Sequence, residues 1–210
     1  MNTFSAGSCI KFGWETFKRR PWFLIGSFAL FFVVVFVVGA ALDELNRLGG
    51  LMSLLSGLVR IVFDVCIGMS ILAFILKAHD DIEHVSLADF LRLHPFWKYF
   101  GAMFLFMIMF IVGFILLIVP GIYVGLTFGL VGYLVIDKQL SPVDALKESA
   151  RITRGNKWEL FLLGLLCILI VLLGIICLVV GALVAYPVVT LAMAHAFRTL
   201  QQKASPAPVA

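Results

Sequence analysis

Two charged residues stand where charges are costly. Arg60 and Asp64 lie four residues apart inside the apolar run from Leu51 to Leu76, so on a helix they share one face and can pair. A charge at bilayer depth costs about 2.5–3.5 kcal/mol on insertion scales, and pairing lowers that cost. Ser53, Ser56, Gly57 and Gly68 extend the same face into a small and polar stripe, which is expected to point into a helix bundle. The stripe serves either as an ion or proton pathway or as a structural pair that fixes packing. A pathway usually draws charges from more than one helix, which favours packing.

Other reactive side chains are less organised. His79-Asp80-Asp81-Ile82-Glu83-His84 gathers metal-capable groups, but with no recognised metal spacing, and reads as a hydrated charged turn. His195 reads as a bundle or interfacial histidine, since no motif sets a nucleophile or acid beside it. Cys9, Cys66, Cys167 and Cys177 show no C-x-x-C spacing, three of them lie in apolar runs, and they read as packing residues. Nucleotide-binding glycine loops, catalytic triads and metal motifs do not occur. No catalytic residue, metal or cofactor is therefore expected.

The elements that must carry these residues follow from composition. The 210 residues are 62% hydrophobic and 13% charged, far outside the roughly 45–50% and 25% of soluble domains. A water-soluble fold is excluded. Apolar runs of membrane-spanning length occur at Trp22 to Leu42, Leu51 to Leu76, Phe96 to Val119, Gly121 to Ile136, Trp158 to Cys177 and Leu178 to Phe197. Pro120-Gly121 and Gly181 are the breaks expected to divide the two longest runs into hairpins. This predicts an all-α polytopic membrane bundle of about six helices. It occupies residues 1–200 as one domain, and the segment 201–210, with Ser205-Pro206-Ala207-Pro208, is expected to be disordered.

Charge sets the orientation. If the spans alternate from a cytoplasmic N-terminus, the inner segments hold Lys11, Lys18, Arg19, Arg20, Lys77, Arg92, Lys98, Lys138, Lys147, Arg151, Arg154, Lys157, Arg198 and Lys203. Only Arg47 falls outside, and Arg60 is intramembrane. The positive-inside rule then predicts a cell-membrane protein with both termini cytoplasmic. A cleaved signal peptide at Lys18-Arg19-Arg20 is disfavoured, because the following run exceeds the 7–15 residues of a signal core. The net charge of +4 points to anionic headgroups, which attract each basic residue by about 1 kcal/mol, and not to nucleic acid.

The chain repeats a unit three times: a polar, partly basic segment, a tryptophan at the membrane edge (Trp22, Trp97, Trp158), then a hairpin of two spans. The polar segments read as cytoplasmic amphipathic helices. In the first, Ala6, Ile10, Gly13, Trp14 and Phe17 share one face and Lys11, Glu15 and Lys18 the other. In the third, Ser141-Pro142-Val143-Asp144 has the form of a capped start and Gly155 of a stop, so the helix between them should lie flat. Val143, Leu146 and Ala150 line one side of it; Asp144, Lys147, Arg151 and Arg154 line the other. Gly121, Gly125 and Gly129 recur every four residues in the fourth span and predict close helix contact, expected within the chain. Pro187 predicts a kink in the last span.

The string Ile118-Val119-Pro120-Gly121-Ile122, Tyr133, Asp137, Ser141, Ala145-Leu146-Lys147-Glu148-Ser149, Arg151 and Arg154-Gly155-Asn156-Lys157-Trp158 resembles an uncharacterised family of bacterial and archaeal membrane proteins. It is similar also to the membrane domain fused to some glycerophosphoryl diester phosphodiesterases. Pro187 and the stretch Ala194 to Leu200 fit the same family's ending. The resemblance implies a six-helix membrane domain and no catalytic residue; these 210 residues hold no phosphodiesterase domain, so that activity is not carried over. The sequence therefore predicts a non-enzymatic membrane protein. It would bind or organise lipids, other membrane proteins or further copies of itself at the cytoplasmic face, with Lys11, Trp14, Lys18, Arg19, Arg20, Trp22, Trp97, Lys147, Arg151, Arg154, Lys157 and Trp158 as the interfacial residues. The alternative is a small transporter or channel using the Arg60/Asp64 stripe.

Overall fold

The computed structural model describes residues 4–91, 95–176 and 178–204. In chain order the helices are α1 (Ala6–Arg19), α2 (Pro21–Arg47), α3 (Gly50–Asp80), a 3₁₀ turn (Leu87–Leu91), α4 (Phe96–Leu116), α5 (Ile118–Phe128), α6 (Val131–Lys138), α7 (Pro142–Thr153), α8 (Lys157–Ile176) and α9 (Leu178–Ala204). Six stretches are long and apolar enough to cross a membrane: Pro21–Arg47, Gly50–Asp80, Phe96–Leu116, Ile118–Lys138, Lys157–Ile176 and Gly181–Ala204. No strand occurs among the described residues. The protein is an all-α polytopic membrane bundle.

The hairpin breaks fall beside the expected ones. Leu117 is extended (φ −178°, ψ 161°) and separates α4 from α5. Pro120 therefore sits in the first turn of α5, where its missing amide would have had no helical partner. Gly121 is needed for contact and not for the reversal: a Cβ there would strike the Phe114 ring, and one on Gly125 would lie 3.3 Å from Phe110. Gly129 serves differently, since its added Cβ would meet the carbonyl of Gly125 in its own helix. In the last hairpin α8 ends at Ile176 and α9 is already helical at Leu178. Gly181 lies inside α9, where its carbonyl would be 2.8 Å from a Cβ on Gly174. The α2–α3 reversal uses Gly49 and Gly50 at φ 71° and 57°, a region that glycine enters freely.

The core lies at the polar end of the bundle, where α1, α7 and the ends of the spans meet. From Val131 to Ile136 every residue of α6 is buried, and Tyr133 stacks on Phe197 of α9 at 5.3 Å. Around it close Phe74 of α3, Leu163 of α8 and Leu191, Phe197 and Leu200 of α9, all at most 1% exposed. By contrast, the far half of the α2–α3 hairpin stands clear of the other helices.

The polar segments depart in part from the sequence reading. The buried side of α1 is Ala6, Cys9, Gly13, Thr16 and Phe17, and it packs on α9 and α8. Trp14 is displaced to the edge and is 43% exposed. The buried side of α7 is Ala145, Ser149, Ile152 and Thr153, set against α4, α5, α6 and α9, while Val143 is exposed and Leu146 and Ala150 are half-buried. The middle segment holds only the 3₁₀ turn among its described residues, where Asp89 accepts from the Ser86 amide at 2.9 Å. Arg92 lies outside the described residues, as do Cys177 and residues 205–210. The helix runs on through Pro187 and includes Gln201–Ala204, which the sequence assigned to the tail.

Gly13 marks the tightest crossing, because a Cβ on it would lie 2.5 Å from the Val188 carbonyl oxygen and 3.1 Å from the Ala192 amide. Backbone cannot yield as a side-chain tip can. Gly13→Ala is therefore expected to lower stability by about 1–3 kcal/mol, the usual cost of overpacking. Gly164→Ala, where nothing lies within 4 Å, should be neutral or slightly stabilising. Thermal unfolding of both variants in one detergent checks the difference.

Candidate functional site

Three spans end within reach of one guanidinium. Arg198 of α9 donates from Nη1 to Asp137 Oδ1 at 2.7 Å, and from Nε and Nη2 to the two oxygens of Asp80, the former at 3.1 Å. Asp80 is the last residue of α3 and Asp137 the last but one of α6. Gln201, one turn on from Arg198, donates to the second oxygen of Asp137 at 3.1 Å. Arginine suits this place because its flat fork of donors serves two carboxylates in fixed geometry. Its side chain and that of Asp137 are each 20% exposed, so this half of the hub is largely shielded, while Asp80 is about half exposed.

Histidines extend the hub towards α1. His79 has Nδ1 at 2.9 Å from Asp80 and Nε2 at 3.1 Å from Nδ1 of His195. Phe12 of α1 stacks on His195 at 4.0 Å. The turn beyond α3 is held from both sides: Arg20 donates to the carbonyls of Ile82 and Glu83 at 3.1 and 2.8 Å, and Lys77 donates to Asp89 at 3.0 Å. Burial pushes the pKa of the Asp89 carboxyl up, but bonds from Ser86 and Lys77 outweigh it and hold the carboxyl below its ordinary value. Asp80, Asp81, Asp89, Asp137 and Lys77 thus line an open cavity of about 340 Å³. No group of three or more metal-capable side chains is placed to hold an ion among the described residues.

A second polar joint lies where the fourth span is interrupted between α5 and α6. The interruption frees the Thr127 carbonyl from the helical ladder, and Ser149 of α7 donates to it at 2.8 Å with both groups shielded. Thr153 donates to the Ser149 carbonyl at 2.8 Å. An unpaired backbone group in hydrocarbon is costly, so α7 is the partner that the interrupted span requires. Its start is capped by Ser141, which accepts from the Asp144 amide at 3.3 Å. Glu148 fastens its far side to Arg151 and Lys138; the Arg151 bond first, then Lys138, against some burial, hold Glu148 down to about 2.

The residues singled out in the sequence are distributed as follows. Arg60 does not pair with Asp64. Its Nη1 lies 2.6 Å from Asp43 of α2, because the long side chain reaches along the helix to the end of the hairpin. Asp64 is exposed and has no hydrogen bond or ion pair among the described residues. The stripe does not point into the bundle as a unit: Ser56 is buried, Gly68 faces Tyr99, and Gly57, Arg60 and Asp64 are exposed. Trp22, Trp97 and Trp158 are 69–85% exposed. Lys11, Lys18, Arg19, Lys147, Arg151 and Arg154 are exposed. Lys18 lies over Trp14 at 5.3 Å and Lys157 over Tyr123 at 3.4 Å.

Asp137, Arg198, Gln201, Ser149 and Thr153 were not singled out as a site. A signal did exist: Asp137 and Ser149 belong to the string that carried the family resemblance, and Arg198 to its ending. A family model described as "Protein of unknown function (DUF975)" matches residues 51–204. The chain belongs to this uncharacterised family, and His79, Asp80, Asp137, His195, Arg198 and Gln201 lie inside the match. No curated protein and no solved structure matches the chain.

Truncating the fork tests what the hub does. Arg198→Leu leaves two neighbouring carboxylates without their cation. The expected loss is below the roughly 3–5 kcal/mol of a fully buried pair, since a fifth of the side chain is exposed. Arg198→Leu with Asp80→Asn and Asp137→Asn should recover part of that loss. Thermal melting of the purified variants decides it, and equal melting of Arg198→Leu and wild type would remove the hub from the account of the fold.

Proposed function

We propose that this chain is a non-enzymatic protein of the cell membrane, with both termini cytoplasmic, that binds or organises lipid or protein partners at the cytoplasmic face. Lipid is the partner that the geometry favours. One observation carries this reading: an apolar cavity of about 560 Å³ opens between α1, α8 and α9, walled by Ile10, Trp14, Leu173, Gly174, Val184 and Val188. Trp14 stands half exposed in its wall, and Lys11 and Lys18 are exposed on the same helix. An acyl chain fits such a wall, and an anionic headgroup fits the lysines above it. The expected resemblance of the Ile118 to Trp158 string to the membrane domain fused to some glycerophosphoryl diester phosphodiesterases would accord with a lipid setting and adds no activity. Transport along the Arg60/Asp64 stripe has less support, since both residues lie on the outside of the bundle.

Native mass spectrometry of the protein in detergent, titrated with dioleoyl-phosphatidylglycerol or dioleoyl-phosphatidylcholine, tests the reading. At about 1 kcal/mol for each basic residue, Lys11→Gln with Lys18→Gln should weaken phosphatidylglycerol by roughly 30-fold and spare phosphatidylcholine. Trp14→Ala should weaken both. Unchanged phosphatidylglycerol binding in the lysine variant would sink the proposal.

Orientation is tested separately, after replacement of the native cysteines. Leu48→Cys, at the α2–α3 reversal, should react in intact cells with an impermeant thiol reagent. Lys147→Cys should react only after lysis. The reverse pattern would overturn the cytoplasmic assignment of the polar end.

A further inference from the structure

The outer half of the α2–α3 hairpin is exposed nearly all round. On α3, Leu54, Leu55, Leu58, Val59, Ile61 and Val62 are 46–69% exposed and cover one side of the helix, an arc of roughly 160°, while Gly57, Arg60 and Asp64, also exposed, occupy much of the other side. An apolar surface of this kind is at home in acyl chains. Asp64 is not. It lies midway along a 31-residue membrane-spanning helix, is exposed, and has no hydrogen bond or ion pair among the described residues. Lipid tails offer a carboxylate no partner, so a charged residue there ordinarily faces protein or water.

The same face carries a matching cation. Arg60 lies one helical turn from Asp64 and is itself about half exposed; it spends Nη1 on Asp43, which leaves Nε and Nη2 as donors. A face bearing both signs four residues apart is complementary to itself, which is what a two-fold interface between identical chains requires. Gly57, one turn further, would meet nothing within 4 Å if it carried a Cβ, so a helix can approach closely there. Positions 57, 61 and 64 follow the spacing of a helix–helix seam.

We infer that a second copy of this chain covers the outer half of α3, with Asp64 of each copy bonded to the partner's Arg60. Copies inserted in the same sense run parallel about an axis along the membrane normal. Each Arg60 then lies level with the partner's Arg60 and each Asp64 level with the partner's Asp64, so the opposite charges meet diagonally: the partner's Asp64 lies about 6 Å along the axis, within reach of the long arginine arm. Two symmetric bonds form, and both carboxylates left open in the single chain gain a cation. This inference is independent of the lipid reading, which concerns α1 at the other end of the molecule.

The test is cysteine crosslinking in native membranes, after replacement of the native cysteines. Gly57→Cys and Ile61→Cys should form disulfide-linked dimers on oxidation with copper phenanthroline. Added to the Gly57→Cys chain, Arg60→Asp sets like charges across both contacts, and so does Asp64→Arg. Each should reduce the crosslink by about tenfold. When the two variants are co-expressed with different tags, every contact is again between opposite charges, and the mixed dimer should crosslink at the level of the parent. If neither variant accumulates alone, their joint accumulation as a mixed dimer supports the same pairing. Absence of any crosslink at 57 and 61 would overturn the interface. Equal crosslinking by both single variants and the parent would overturn the pairing. A loss that co-expression does not repair would also overturn it.

Discussion

The ends of α3, α6 and α9 come from distant parts of the chain and are held by one side chain. A lysine in place of Arg198 would offer a point charge to one carboxylate or the other, whereas the guanidinium binds both edges at once. What surrounds it takes position from that bond. His79 leans on Asp80 and meets His195, Phe12 brings α1 over the histidine ring, and Gln201 takes the remaining oxygen of Asp137. None of the six buried residues of α6 carries a charge, and the charges nearest to them are gathered at this one place.

A second demand comes from the bilayer. An interrupted helix frees backbone carbonyls that hydrocarbon cannot satisfy, and the fourth span is interrupted between α5 and α6. The answer is a helix outside the spans: α7 brings Ser149 to the freed Thr127 carbonyl and stacks Thr153 behind it. This explains why α7 buries two hydroxyls on the side that faces the bundle. A helix whose role was to rest on lipid would place apolar side chains there.

The spans were legible in the sequence because twenty apolar residues have few other uses, and the cap at Ser141 because its chemistry is local. The breaks were legible to within a few residues only. Pro120 signals that a helix must start or stop nearby, without saying which side of the reversal it occupies, and it proved to be inside the first turn of α5. Pairing was not legible. Periodicity put Arg60 and Asp64 on one face, but arginine is long enough to choose a partner on another helix, and Asp43 was the better placed. The hub failed to emerge for a different reason: its members belong to segments whose adjacency only the fold decides, and each looks alone like an ordinary polar residue at a helix end. The buried sides of α1 and α7 were displaced from those expected because a hydrophobicity pattern treats protein and lipid as the same apolar surroundings. A packing surface of Ala145, Ser149 and Thr153 is therefore invisible to it.

The two ends of the molecule consequently meet different conditions. At the polar end, small residues such as Gly13 let α1 cross α9 closely, and every charge of the hub has a partner. At the other end α2 and α3 have only each other. The same small residues there, Gly39 and Gly57, would meet nothing within 4 Å if enlarged, so no contact among the described residues accounts for their size. A bundle that needed only to be stable on its own would have no use for a carboxylate on that surface. A charged Asp64 is costly to a hairpin surrounded by lipid tails, and that cost falls where a cation from outside the hairpin reaches it, which makes the open end of the bundle the part that depends on what it meets in the membrane.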